Sequence, residues 1–419
     1  MTTIQITTLS NGLRIATDTM REAESTVIGA WVGVGTRHEP WSANGVAHLV
    51  EHMMFKGTRE RSAYALSADI EKNGGAMNAH TTREETAYYA RVLPEDSELA
   101  IDIIADMLRH SLFDKRELDR ERQVIIQEIG RDLDAAEDYV FDLMHKLAFP
   151  HQRIGRPILG SEKVIAKLPR REVVNYVRKH YHAGNLVIVG AGRIEHKAFV
   201  EIVKKRFGRM AEGKVSDGGR AHVKSGDLRV TKDIEQLHLI LGFPGPSFYS
   251  DALYPVQLLS ILLGGTASSR LFQKVREKRG LVYTIQASHI PFSDAGIFGI
   301  YAGTDPARAK ELIPVVCNEL IDVHRNITPA ELATAKAQAR ADILMGQENV
   351  MRRAEVLGHQ ILAYNRPITI EAILKRLMAV SRSEVQATAH KLFTRKPILT
   401  ALGPVDGLES YRKIAARLK

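Results

Sequence analysis

Two histidines and a glutamate near the N-terminus have the types and spacing of a metal site. They lie in the segment His48-Leu49-Val50-Glu51-His52. On a helix, residues i and i+4 share a face, so both imidazoles can reach one zinc ion, with Glu51 beside them. This is the inverted form of the H-E-x-x-H arrangement. The pattern predicts a zinc site, and two surface histidines with a helix glutamate are the alternative interpretation.

A catalytic zinc ion needs a third protein ligand and keeps one position open for water. The best candidate is Glu128, in a charged helix predicted over residues 114–133. Glu121 lies two helical turns earlier on the same stripe, where a carboxylate can orient a ligand. A solvated acidic face is the competing interpretation, because this helix carries many charges. The expected cofactor is one Zn²⁺ per chain.

The elements that would position these side chains follow from hydrophobic periodicity. Residues 45–56 form a short, largely apolar predicted helix that carries both histidines. The pattern over residues 76–93 predicts strand, turn and strand, after a helix that Gly74-Gly75 ends. The other predicted strands are 7–18, 25–34 and 185–190, and the other predicted helices are 62–72 and 98–110.

Composition limits the function classes. The 419 residues are 44% apolar and 26% charged, as in globular proteins, and suffice for two to four domains. The single cysteine excludes a disulfide scaffold. No apolar run approaches the ~18 residues of a membrane helix, and the N-terminus lacks a secretory signal pattern. We therefore predict a cytoplasmic protein without a membrane partner.

The net charge of +9 could indicate an acidic partner. The basic residues are dispersed among acidic ones, however, and no basic stripe with interleaved aromatic residues stands out. A scattered surface excess is the favoured interpretation, so a nucleic-acid partner is not expected.

The chain also repeats itself at long range. After a small, polar, glycine-rich stretch from residue 211, Leu228-Arg-Val-Thr echoes Leu13-Arg-Ile-Ala, and the predicted helix 254–263 falls where 45–56 fell. The period is about 210 residues, which predicts two copies of one α+β unit. The second copy has Leu258-Leu259-Ser260-Ile261 in place of the metal motif.

These motifs together resemble the pitrilysin (M16) family of zinc peptidases, and more narrowly the bacterial relatives of the catalytic subunit of mitochondrial processing peptidase. The specific feature is the His48-x-x-Glu51-His52 motif with Glu128 seventy-six residues beyond His52. The supporting segments, which extend over nearly the whole chain, are GGAMNA at 74–79, TREETAYY at 82–89, IGRPILG at 154–160, SSRLF at 268–272 and REKRGLVY at 276–283.

The resemblance implies a fold of two homologous α+β domains, LuxS/metallohydrolase-like, that face each other across a cleft. We expect an N-terminal zinc-binding catalytic domain at 1–210, a linker at 211–227 and a C-terminal domain at 228–419. The C-terminal domain is expected to lack metal ligands and to contribute to substrate binding.

The resemblance also assigns roles around the metal. In this family the two histidines and the distal glutamate bind zinc, which implies that His48, His52 and Glu128 are the ligands. The glutamate between the histidines is the general base, which corresponds to Glu51. Glu121 matches a carboxylate next to the zinc ligands, and we assign it a supporting catalytic role.

Further positions match residues that bind substrate in the family. The stretch 76–79 resembles the active-site edge strand, so Asn78 and Ala79 are expected to pair with the substrate backbone, although Asn78 could be an ordinary turn residue. Arg276 and Tyr283 match an arginine and a tyrosine that bind substrate carbonyls and stabilise the oxyanion.

Asp138 and Asp142 match acidic positions that favour a basic residue near the cut; a solvated acidic helix start is the alternative.

The implied function is a zinc endopeptidase that cleaves extended or unfolded peptides, including presequence-like ones. The expected assembly is a homodimer or a dimer with a related subunit. The competing hypothesis is a non-catalytic partner or scaffold subunit.

Overall fold

The computed structural model describes residues 3–215 and 217–419, which form two compact units. The first unit comprises the segments up to Gly130, Arg156–Gly219 and Leu344–Ile368. The second comprises Arg131–Gly155, Arg220–Ile343 and Thr369–Lys419. The division between Gly219 and Arg220 lies inside the predicted linker 211–227, whereas residues 131–155 and 344–368 each belong to the unit formed mainly by the other half of the chain.

The strands fall into two sheets. Those of the first sheet are β1 Thr3–Thr8, β2 Arg14–Thr19, β3 Thr26–Val32, β4 Ala76–Thr81, β5 Thr86–Val92 and β6 Leu186–Gly192. Those of the second sheet are β7 Gly226–Thr231, β8 Leu237–Pro244, β9 Thr284–Pro291, β10 Gly296–Thr304 and β11 Ile398–Gly403.

The α-helices flank the sheets. In the N-terminal half they are α1 Val46–Met54, α2 Ala63–Glu71, α3 Ser97–His110, α4 Lys115–Asp134, α5 Ala136–Ala148, α6 Glu162–Ile165, α7 Arg170–His180 and α8 His196–Phe207. In the C-terminal half they are α9 Leu253–Gly264, α10 Ala309–Val323, α11 Pro329–Gly346, α12 Val350–Tyr364, α13 Ile370–Ala379, α14 Arg382–Phe393 and α15 Tyr411–Arg417.

Short helices of other types complete the secondary structure. The 3₁₀ turns are Thr36–His38, Trp41–Ala43, Pro94–Asp96, Arg153–Gly155, Ala183–Asn185 and Pro306–Arg308. Residues Phe272–Glu277 form a π-helix. None of the helices in the described part of the chain combines the length and the apolar composition needed to cross a bilayer.

The two sheets share one topology. Their strand orders are β1-β2-β6-β3-β5-β4 and β7-β11-β8-β10-β9. In both, one parallel pair (β2 with β6, β7 with β11) is followed by antiparallel pairs only. From β2 and β7 onward the strands correspond one to one, and β1 is an addition. The predicted α+β fold with two homologous units is therefore confirmed.

The first sheet is covered on both faces, which explains why every residue of β3 is buried. One face packs on the layer that contains α1 and α3, through residues such as Ile28 and Leu49. The opposite face, which includes Trp31, packs on α12. Gly358 permits this close approach, because a Cβ there would lie 2.5 Å from the Trp31 ring.

Polar contacts fix α12 on this sheet. Asn349 caps its first turn by accepting from the Arg352 backbone N–H. Arg353 forms a buried two-point ion pair with Asp18 of β2, with Nε 2.7 Å from Oδ2. In the second unit α5 takes the corresponding place, with Val140 and Met144 packed in one apolar cluster with residues of β8, β10 and β11.

Candidate metal centre

The helix that carries the metal motif is held firmly from its buried side. Val46, Leu49, Val50 and Met53 of α1 are buried in the core, which leaves the polar side chains on the opposite face. The helix begins after Gly45, whose φ of 92° suits glycine. This packing fixes the direction in which the motif points.

A fully buried carboxylate caps this helix. Glu39 accepts from the backbone N–H groups of Gly45 and Ala47, both at 2.9 Å, and from the Asn44 side chain at 2.8 Å. The Arg156 guanidinium lies 3.6 Å away. Burial raises the pKa of Glu39 to about 7, against the opposing effect of these hydrogen bonds. Glu39 therefore satisfies N–H groups that have no partner within the helix.

The structure brings His48, His52 and Glu128 together, with one ligand atom of each lying within 4.8 Å of the others. Glu128 Oε2 is 3.6 Å from His52 Nε2 and 3.9 Å from His48 Nε2. These separations exceed hydrogen-bond length. Ligand atoms of a tetrahedral zinc site lie about 3.3 Å apart for zinc–ligand bonds of about 2.05 Å. The donor set therefore fits zinc with small adjustments.

The environment of His48 supports the same fit. Its side chain is 12% exposed, yet its buried Nδ1 has no hydrogen-bond partner within residues 3–215 and 217–419. Burial, with a smaller effect of His52, lowers the pKa of His48 to about 3. Buried imidazoles ordinarily have a partner. A neutral ring without one is suited to bind a cation.

Glu121 forms a hydrogen bond with His52 through the ring nitrogen that is not the candidate ligand atom. Its carboxylate is 6% exposed, and Oε2 accepts from His52 Nδ1 at 2.9 Å while Oε1 pairs with Lys56 Nζ at 2.8 Å. Burial opposes charge on His52, but the Glu121 hydrogen bond and nearby carboxylates raise its pKa overall. Burial likewise acts against the Glu121 charge, yet the bonds from His52 and Lys56 lower its pKa. The proton is thus held on Nδ1, and the lone pair of Nε2 points away from Glu121.

Glu51, the one acidic residue of the motif, has a different neighbour. Glu51 is half-buried, and its Oε2 accepts from the Thr81 hydroxyl at 2.5 Å. Burial raises the pKa of Glu51, while the Thr81 hydrogen bond and the charges of His52 and His80 act in the opposite direction. Thr81 is the last residue of β4. Glu51 is therefore tied to a strand, not to the helix that carries Glu128.

Strand β4 lies at the edge of the first sheet. Asn78 is exposed and Ala79 half-buried, and they pair with Tyr89 and Tyr88 of β5. The Asn78 side chain accepts from the Ala79 backbone N–H at 2.8 Å, so this N–H is not paired with β5. An edge with backbone groups of this kind can add a further strand.

With this geometry established, known families match the chain over most of its length. Residues 14–162 match the family model described as Insulinase (Peptidase family M16), and residues 167–339 match the model described as Peptidase M16 inactive domain. The chain belongs to peptidase family M16. The resemblance predicted from the motifs is thereby confirmed.

Relatives of the M16 chain carry consistent names. An uncharacterized zinc protease of Rickettsia felis is 35% identical over 96% of this chain and 98% of its own length. One from Bacillus subtilis is 35% identical over 96% and 99%. A probable mitochondrial-processing peptidase subunit beta of Arabidopsis thaliana is 31% identical over 99% of this chain and 81% of its own length. Family and names together support a metallopeptidase.

Solved structures establish the M16 fold. A protease from Helicobacter pylori superposes with a TM-score of 0.88 at 20% identity, covering 96% of this chain and 100% of that one. A chain of Complex III2 from Candida albicans gives 0.88 at 19% identity, with 99% and 100% covered. At these identities the likeness concerns the two-domain fold alone.

The remaining predicted site residues belong to the second unit. Arg276 is exposed on the π-helix, where its guanidinium lies 4.7 Å from the centre of the Phe272 ring. Tyr283 is 60% exposed, and its backbone N–H donates to the Gly303 carbonyl. Asp138 is exposed and Asp142 half-buried on α5. Functional roles for these four side chains stay predictions.

Sequence reasoning missed three side chains that contact the centre or its helix: Thr81, Lys56 and Glu39. Lys56 lies two residues after the end of α1, so its nearness could have been inferred. Thr81 is a threonine in a strand, where its type is common for reasons of propensity alone. Glu39 precedes α1 by several residues, and its burial cannot be inferred from local pattern.

A second group, Glu60, Asp106 and His110, also has ligand atoms within 4.8 Å of one another. The buried Asp106 carboxylate accepts from the Thr58 hydroxyl at 2.5 Å and from Arg61 at 3.1 Å. A guanidinium thus already supplies the positive charge. This group anchors the loop after α1, and we assign it no metal.

Proposed function

We propose that this M16 protein is a zinc-dependent endopeptidase that cleaves extended or unfolded peptides. The observation that carries the proposal is the convergence of two imidazole nitrogens and one carboxylate oxygen beside Glu51. His48, His52 and Glu128 would hold one Zn²⁺ per chain. The chemistry that zinc supplies in such a site is acidification of water and polarisation of a carbonyl.

Glu51 is the proposed general base. Because Oε2 accepts the Thr81 hydroxyl, we assign proton uptake to Oε1. Glu51 removes a proton from the attacking water and later delivers it to the nitrogen of the leaving amine, so the carboxylate is regenerated in each turnover. The raised pKa of Glu51 suits this exchange, because it brings the group closer to the working pH.

Strand β4 is the proposed docking site for the substrate backbone. An extended peptide would pair with its outer edge at Asn78 and Ala79, after the Asn78 side chain has left the Ala79 N–H. Pairing through backbone groups accepts many sequences but requires an extended segment. This supports unfolded peptides as the substrate class.

The second unit would supply further substrate contacts. We assign Arg276 and Tyr283 to substrate carbonyls and the oxyanion, since both side chains are exposed. Asp138 and Asp142 would favour a basic residue near the cut, as in presequence-like peptides. The test is a peptide library with and without arginine near the cut, with Asp138→Asn and Asp142→Asn; indifference of the native protein to arginine would remove this role.

The proposed assembly is a homodimer or a dimer with a related subunit. It is supported by the Arabidopsis relative, whose name describes a subunit. Light scattering of the purified protein, alone and with a related chain, tests it. A monomer at all concentrations and without a binding partner would contradict it.

The decisive experiment on function compares Glu51→Gln with the native protein. We expect cleavage of an unfolded test protein by the native enzyme, loss with a zinc chelator, and a fall of at least about a hundredfold in Glu51→Gln, within the usual range for a general base. Zinc content should stay near one per chain. Glu71→Gln, an exposed glutamate on α2, is the matched control. Full activity of Glu51→Gln would overturn the base assignment, and absence of both zinc and cleavage would favour the non-catalytic subunit.

A further inference from the structure

The contact between Thr81 and Glu51 joins two parts of the centre that no motif connects. Thr81 Oγ1 donates to Glu51 Oε2 at 2.5 Å. Within the described residues, the Glu51 carboxylate accepts no other hydrogen bond. The other acidic side chains behave differently, since Glu121 has two cationic partners and Glu128 faces the histidines. The orientation of Glu51 therefore depends on one hydroxyl.

That hydroxyl is held on a rigid support. Thr81 pairs with Thr86 across the β4–β5 hairpin, and the buried Thr86 hydroxyl donates to the Val34 carbonyl. The Thr82 carbonyl accepts from the Thr36 backbone N–H. The approach is so close that a Cβ on Gly35 would lie 2.2 Å from the Thr82 carbonyl oxygen. The end of β4 is thus held in place by the loop after β3, which fixes the backbone that carries the Thr81 hydroxyl.

We infer that Thr81 is a positioning residue for Glu51. Its hydroxyl donates a hydrogen bond to Oε2 and so fixes the orientation of the carboxylate, with Oε1 facing the attacking water. Thr81 belongs to the same strand that offers Ala79 to the substrate, so one rigid element sets both the peptide and the base. The inference rests on the proposed function of Glu51. It assigns to Thr81 a role in the chemical step and none in binding zinc or substrate.

The test separates the hydroxyl from the shape of the side chain. Thr81→Val keeps the shape and the strand propensity but removes the donor, whereas Thr81→Ser keeps the donor. We expect kcat to fall about tenfold in Thr81→Val, a typical loss for an outer hydrogen-bond partner, with KM and zinc content unchanged. Thr81→Ser should return kcat to within about threefold of the native value.

Thr19→Val is the matched control. Thr19 is a half-buried threonine on β2 of the same sheet, and its hydroxyl donates to the Ile194 carbonyl at 3.0 Å. The substitution removes one hydroxyl bond without contact to Glu51, so kcat should not change. If Thr81→Val does not fold, Thr81→Ala carries the same expectation. Native kcat in a folded Thr81→Val or Thr81→Ala would overturn the inference.

Two further measurements distinguish positioning from general stability. In a Glu51→Gln background, Thr81→Val should cause no additional loss, because the hydroxyl acts through Glu51. A tenfold further loss there would refute the mechanism. Crystal structures of the native protein and Thr81→Val should show the Glu51 carboxylate displaced only in the variant. This readout needs no activity, so failure of the proposed peptidase function and failure of the inference can be told apart.

Discussion

The contact between Glu121 and His52 makes a quantitative prediction about zinc affinity. Glu121 accepts from His52 Nδ1 with one oxygen and from Lys56 with the other, at 2.9 and 2.8 Å. In Glu121→Gln the side chain keeps its size but has one acceptor oxygen for these two donors. One of the two bonds is therefore lost, and an amide N–H₂ group faces either the histidine or the lysine.

The expected loss of zinc affinity follows from the number of hydrogen bonds that each substitution removes. Loss of a carboxylate behind a metal-binding histidine costs about 10- to 100-fold in affinity. Glu121→Gln, which can retain one hydrogen bond, should lie near tenfold, about 1.4 kcal/mol. Glu121→Ala leaves Lys56 without its partner and should approach a hundredfold, about 2.7 kcal/mol. Glu121→Ala should therefore bind zinc more weakly than Glu121→Gln.

Competition with a chromogenic zinc chelator at neutral pH measures these affinities directly. Glu117→Gln is the control, because Glu117 lies on the same helix and pairs with Arg120 at the protein surface. It should bind zinc as tightly as the native protein. If both Glu121 variants also retained native affinity, the argument that Glu121 orients His52 would be wrong.

Two stability predictions concern the first unit. Burial raises the pKa of Glu39 to about 7, so its stabilising contribution is greatest below the unfolded value of about 4.5 and falls as pH rises to 7. In urea unfolding of the metal-free protein, the free energy of unfolding of the native chain should fall by roughly 3 kcal/mol relative to that of Glu39→Gln between pH 4.5 and 7.5. A constant difference between the two free energies of unfolding would refute this. Arg353→Met leaves Asp18 buried without its partner and should cost about 3–5 kcal/mol, partly recovered by adding Asp18→Asn. A loss below about 1 kcal/mol in denaturant unfolding would contradict the buried-pair argument.

Local patterns predicted the motif helix well, because its physical signal is short-range. The apolar residues of α1 recur on one side, so His48, Glu51 and His52 had to share the other side. Glycines 74 and 75 marked the end of α2, and alternation predicted β4 and β5. The third proposed ligand had a weaker local signal. Glu128 was the best candidate on its helix, but the many charges there left a solvated acidic face as the alternative, and the family resemblance implied the ligand role.

Long-range partners could not be predicted in this way. Periodicity shows that α12 has an apolar face, but it does not show which sheet that face covers. The pairing of Asp18 with Arg353 joins residues 335 positions apart. Thr81 has no sequence signal at all, because strand propensity already explains a threonine there. These contacts depend on tertiary packing, which the sequence pattern does not encode locally.

Because α12 belongs to the first unit, the predicted catalytic domain at 1–210 lacks one of the elements on which its sheet packs. Residues 1–210 contain His48, His52, Glu128 and Glu51, so by residue content they look sufficient for the chemistry. The sheet that supports them, however, buries Trp31 and neighbouring apolar side chains against α12, which lies beyond residue 349. Without α12 that apolar face would be exposed to water, and Asp18 would lose the guanidinium that neutralises it. The proposed metal centre is therefore formed by residues of the N-terminal half, while the sheet behind it is stabilised by both halves of the chain.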